Sequence, residues 1–259
     1  MSYNINQLAN GDTDIVNPSG EKAVTFKKIG GLYAQHDRKV QFYDDFLGDA
    51  LDARWSGAAG SDSPAAVSVA TITTGGIATV KTGDSNASVA ADTSSLTHGL
   101  NWKASGGNLV FEARCKVDAI TNVKLFIGWT DTLATTTLEV PINMTTGTLT
   151  TTATDACGFM FDTAATNVKW QLTGVANDVD ASVINSNVAP TAATYQIFKI
   201  ELTTSGAATF YIDNVKYGSL SGAVTPSVLL TPVFCARAAG DTTPKSLDID
   251  YVWISQTRI

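Results

Sequence analysis

The stretch that decides the fold is GNLVFEARCKV, residues 107–117. Leu109, Phe111, Ala113, Cys115 and Val117 alternate with Val110, Glu112, Arg114 and Lys116, the period of two that sends successive side chains to opposite faces of a strand. One face packs and the other is wet. The same grammar runs outward from this segment: from Gln41 on, short β-branched and aromatic runs are bounded by Gly, Asn, Asp, Ser and Thr. Strands are expected near 41–46, 66–72, 76–82, 86–91, 108–117, 123–129, 137–142, 157–161, 167–173, 195–203, 207–213, 228–236 and 246–255. TSGAATFYIDNVKYGSL, residues 204–220, reads as a strand pair turning at Asp213-Asn214, because both residue types tolerate positive φ. The Thr-rich stretch 143–156 reads as a long loop or an edge hairpin.

Composition agrees with an all-β chain. There are 20 Asp against 4 Glu in 259 residues, with few helix-favouring Leu, Glu and Lys runs. A net charge of −7 argues against nucleic acid or an anionic membrane as partner. Cys115, Cys157 and Cys235 stand far apart in apolar surroundings, which fits buried thiols better than disulfides or a metal site. The opening MSYNINQLANGDTDIV has no basic segment leading into an apolar run, so the chain is expected to be made in the cytosol.

Residues 1–40 differ from the rest. Lys22, Lys27, Lys28, Arg38 and Lys39 place five of the 17 cations within 18 positions, among short apolar patches. The expectation is an extended N-terminal arm, residues 1–40, ahead of a sandwich domain, residues 41–259, with the arm ordering against a partner.

Four pieces in order resemble the concanavalin A-like lectin and glucanase (laminarinase-like) jelly roll. They are FYDDFLGDALDARWS (42–56), GNLVFEARCKV (107–117), YQIFKIELTTSGAATFYID (195–213) and LDIDYVWI (247–254). The resemblance implies a jelly-roll β-sandwich. It also implies, for an active glucanase, a Glu-x-Asp-x-x-Glu or Glu-x-Asp-x-Glu strand whose two carboxyls flank the glycosidic bond. Glu21, Glu112, Glu139 and Glu201 are the only glutamates and no two are close, so the motif is absent and the chain is expected not to be an enzyme.

Other chemistry is thin in the sequence. His36 and His98 join no nucleophile pattern. Asp178 and Asp180 are weak candidates for a calcium loop, and no cofactor is expected. Asp248 and Asp250, two apart, are expected on one face opposite Leu247, Ile249 and Tyr251, as framework acids rather than a metal pair. Trp55, Trp129 and Trp253 are expected in the core.

Similar jelly rolls occur among tailed-bacteriophage structural proteins. That resemblance implies a capsid decoration protein, a homotrimer on the virion surface bound to the major capsid protein. Phe26, Lys27, Lys28, Tyr33 and Arg38 of the arm are then the expected contacts. The alternative is a carbohydrate-binding module at a phage tail or virion surface, with exposed Trp or Tyr rings beside Asn and Asp on a concave face.

Overall fold

The computed structural model describes residues 4–7, 13–16, 22–29, 32–35 and 39–257 except 71–74, 85–88, 146, 181–182 and 241, with side chains from Lys39 on. The chain divides into two compact units, Met1–Val40 and Gln41–Ile259. In the first, β1 (Asn4–Gln7), β2 (Thr13–Val16), β3 (Lys22–Ile29) and β4 (Leu32–Gln35) pair in sequence order as an antiparallel meander. The segment expected as an extended arm thus carries four paired strands.

The second unit continues with β5 (Lys39–Asp44, beginning just before the boundary), β6 (Ser56–Ala59), β7 (Ala66–Val69), β8 (Ala78–Lys81), β9 (Thr93–Thr97), β10 (Leu109–Val117), β11 (Val123–Thr130), β12 (Ile142–Thr145) and β13 (Thr148–Thr151). There follow β14 (Ala156–Asp162), β15 (Gln171–Ala176), β16 (Val179–Asp180), β17 (Ile184–Asn185), β18 (Tyr195–Leu202), β19 (Ala208–Ile212), β20 (Val215–Leu220), β21 (Thr231–Ala238) and β22 (Ser246–Thr257). Sheet I runs β20-β19-β18-β10-β22-β8-β7, with β5 also paired to β22. Sheet II runs β16-β15-β14-β11-β21-β9-β6, with β17 on β15.

The alternation read in 109–117 is realised residue by residue, buried at the odd positions and half-buried at the even ones. Its odd face meets sheet II through aromatic contacts. Phe111 lies 5.7 Å from the Trp129 ring and 5.8 Å from Phe234; Phe159 lies 5.0 Å from Phe198 and 5.5 Å from Phe210. Tilted and edge-to-face rings at these distances add about 0.5–1.5 kcal/mol per pair beyond their burial. The Asp213-Asn214 turn has φ of 50° and 65°, as its two residue types allow.

Two expectations need correction. Trp55 and Trp129 are core residues, but Trp253 is half-exposed on the outer face of sheet I. Tyr251 does not share a face with Leu247 and Ile249 either. The β10–β22 register steps between Arg114 and Cys115, whose partners are Tyr251 and Ile249, so Asp250 is an extra residue in β22. A bulge of one residue inverts the alternation beyond it, and Asp250 and Tyr251 both face outward. Asp248 and Asp250 then pair with neighbours on β10: Asp250 with Arg114 at 2.5 Å and Asp248 with Lys116 at 3.1 Å. The two acids of SLDIDYVWI are framework acids.

Cys115, Cys157 and Cys235 are free and buried, and burial pushes all three thiols above their ordinary range. For Cys235, burial drives the thiol up to about 12.

Candidate functional site

Both faces of sheet II are buried at its centre. Every residue of β11 and β14 is buried, although strict alternation turns Val123, Leu125, Ile127 and Trp129 toward sheet I and Lys124, Phe126 and Gly128 away from it. The chain covers that outer face itself. Residues 131–155, including the β12–β13 hairpin, lay Val140, Ile142, Met144 and Ala153 over Phe126, Met160, Val233 and Cys235, forming a second apolar core. The Thr-rich stretch is therefore a roof.

The roof is latched by charge. Lys124 Nζ lies 2.9 Å from Asp162 Oδ2, donates to Asn143 Oδ1 at 3.2 Å, and donates to the Met144 carbonyl oxygen. Asp162 in turn accepts from the Met144 N–H at 2.7 Å and the Ala164 N–H at 2.8 Å. Gly158 makes room beneath, since a Cβ there would sit 2.8 Å from the Phe126 ring and 2.5 Å from the Ile127 carbonyl oxygen. The cavity between roof and sheet near Ser95, Glu139 and Val233 measures about 10 Å³, the space of a single water.

An open, polar cavity of about 230 Å³ lies instead at the end of β5, lined by Tyr43, Asp44, Asp45, Phe46, Leu47, Ala50, Asp52 and Arg54. Asp44 holds its wall, accepting from the Phe46 N–H at 2.8 Å and from Trp55 Nε1 at 2.7 Å. Asp52 accepts from Arg54 Nε at 2.8 Å, and this guanidinium holds its carboxyl well down, at about 2. Behind the wall, His98 is buried between the rings of Phe42 and Trp55, 4.7 and 5.4 Å away, and burial followed by the Arg54 charge lowers its pKa. Among the described residues neither of its ring nitrogens has a hydrogen-bond partner. Tyr43 and Leu47 flank the mouth, 57% and 66% exposed.

Tyr43 connects this cavity to the outer face of sheet I. Its ring stacks on Tyr251 at 6.2 Å and 29°. Tyr251 donates to Glu112, Tyr211 donates to Glu201, Lys199 pairs with Glu201 at 2.6 Å, and Arg114 lies 4.1 Å over the Tyr195 ring. Burial and then the bond to Glu112 raise the Tyr251 hydroxyl pKa, while for Tyr211 the bond to Glu201 is the main cause. Burial pushes Glu201 up, but the bonds from Lys199 and Tyr211 outweigh it and hold the carboxyl low.

The residues expected at a capsid contact fall in the first unit. Phe26, Lys27 and Lys28 lie on β3 and Tyr33 on β4, with backbone register Phe26 to Gln35 and Lys28 to Tyr33; Arg38 and His36 lie outside the described residues. Asp178 is a turn residue with φ of 61°, and Asp180 pairs with Val175. Among the described residues no three His, Cys, Asp or Glu side chains come together as a metal set. Missed in the sequence were the cavity, whose DDF and DAR segments meet only after the chain turns between them, and the roof. The repeated acids of FYDDFLGDALDARW were the one available signal.

Neither a protein-family model nor a curated protein matches the chain. Solved structures do. One described as a human gut microbiota endo-acting O-glycanase that initiates mucin breakdown aligns with a TM-score of 0.58 at 10% identity, covering 84% of this chain and 99% of the other. The laminarinase catalytic domain of Thermotoga petrophila gives 0.55 at 12%, covering 84% and 97%. The Bacillus licheniformis β-glucanase gives 0.54 at 14%, covering 85% and 98%. The fold is the concanavalin A-like jelly-roll sandwich of such glucanases. These neighbours overturn the expectation that the chain is not an enzyme, because the scaffold is one on which glycosidic bonds are cut. Absence of the Glu-x-Asp-x-x-Glu strand removes one arrangement of acids, and fold and site are separate matters.

Proposed function

We propose that this chain binds carbohydrate, at the cavity lined by Tyr43, Asp45, Asp52 and Arg54. The observation that carries the reading is the cavity's mixed chemistry. An exposed tyrosine ring offers a face for the C–H side of a sugar, beside carboxylates and a guanidinium able to bond hydroxyl groups, in an open space of about 230 Å³. The likeness to glycan-cleaving enzymes supports the ligand class. The test is titration of the full chain with neutral β-glucan oligosaccharides, with product analysis on the same samples to register hydrolysis. Tyr43→Ala is expected to weaken binding at least tenfold while leaving the thermal midpoint nearly unchanged, since the ring is mostly exposed. Undiminished affinity in that variant would remove the cavity as the site.

A second reading has one observation of its own. In the first unit Lys22, Lys27 and Lys28 belong to a single strand, and the second unit is acidic, a division of charge that suits attachment of a displayed domain to a protein lattice. In this reading the chain decorates a tailed-phage capsid through Phe26, Lys27, Lys28, Tyr33 and Arg38. Changing the three cations Lys27, Lys28 and Arg38 to Glu is expected to abolish co-sedimentation with capsids. Full occupancy by that variant would sink the reading.

A further inference from the structure

The geometry points to a polymer platform on the outer face of sheet I, where a neutral polysaccharide lies across the strands with one end in the Tyr43–Arg54 cavity. This inference rests on the carbohydrate reading of that cavity and extends it to ligand length and charge. With the centre of the other sheet's outer face covered by residues 131–155, sheet I keeps a half-exposed outer face with rings on it.

The pairing register sets a straight row across four strands: Trp253 of β22 opposite Glu112 of β10, Glu112 opposite Lys199 of β18, and Lys199 opposite Tyr211 of β19. Three strand spacings separate the rings at its ends, ~14 Å, with hydrogen-bonding groups between them. A second row begins at Tyr43, stacked on Tyr251, which stands opposite Arg114. It joins the platform to the cavity.

The charge balance selects the ligand. Arg114 and Lys116 are paired to Asp250 and Asp248, Lys199 to Glu201, and Glu112 accepts from Tyr251. Lys216, opposite Tyr211 at the end of the row, stands outside these pairs, but one cation is too little to draw a polyanion to a chain that carries −7 overall. Half-exposed rings with neutralised polar neighbours suit a neutral chain of hydroxyl-bearing rings. The bulge at Asp250 is what makes this arrangement, because it turns both Tyr251 and Trp253 outward.

The experiment uses the full chain and neutral β-glucan oligosaccharides of increasing length, with an acidic polyuronate as the charged probe. Affinity is expected to climb with length to about four sugars and then level off, and the polyuronate to bind more weakly. Trp253→Ala with Tyr211→Ala should lower affinity for the polymer more than tenfold while leaving the disaccharide unaffected. Trp253→Phe with Tyr211→Phe should restore most of it, which separates loss of a ring from loss of fold. Length-independent affinity, a preference for the polyuronate, or polymer binding unchanged in the alanine pair would each overturn the platform and leave the cavity reading standing. Failure of the unaltered protein to bind any neutral glycan would overturn both.

Discussion

Lys124→Met is expected to cost about 3–5 kcal/mol of stability, read as a lowered urea midpoint. Asp162 is fully buried, and without the ammonium 2.9 Å away its carboxylate keeps, among the described residues, two backbone N–H donors. Methionine replaces the stem of lysine but not its charge or its bonds to Asn143 and the Met144 carbonyl. The loss should begin locally, with amides of residues 142–151 exchanging faster than those of β10. Adding Asp162→Asn should recover part of the loss, because an uncharged amide tolerates burial better than a lone carboxylate, and the double-mutant cycle isolates the pair's coupling. A loss under about 1 kcal/mol would mean that the apolar contacts of the roof hold it without the latch.

Phe111→Ala is the second large effect, again about 3–5 kcal/mol. The ring is completely buried and touches Trp129 and Phe234, which stand on adjacent strands of the opposite sheet. Its removal opens a cavity at the seam between sheets, and two large rings cannot collapse into it without moving their strands. Val110→Ala, one residue away on the half-buried face, should cost well under half as much. Equal losses at 110 and 111 would contradict the assignment of faces.

That contrast shows what was legible in the sequence. Strand β10 could be read because every odd residue from Leu109 to Val117 is apolar and most even ones are charged. Strand β22 could be read only up to Ile249, since a bulge is a property of two strands and the partner's register is not written in one of them. Strand β9, TSSLT, was hidden for the opposite reason. Its five residues are all buried and four are polar, their hydroxyls finding partners such as the Lys81 and Ser56 carbonyl oxygens across the fold. The expected strand at 86–91 lies partly outside the described residues, and the regular strand begins at Thr93. The roof escaped notice because its apolar residues are few and aperiodic, and its latch joins Lys124 to Asp162 across the whole hairpin.

The position of β22 in sheet I has a consequence for biosynthesis. This strand lies between β10 and β8 and also carries β5, yet it leaves the ribosome after all of them. Until then, β10 and β8 wait with exposed hydrogen-bonding edges, the kind of intermediate that recruits neighbouring chains during translation. Nascent chains stalled before Ser246 should therefore depend on chaperones far more than chains released beyond Thr257.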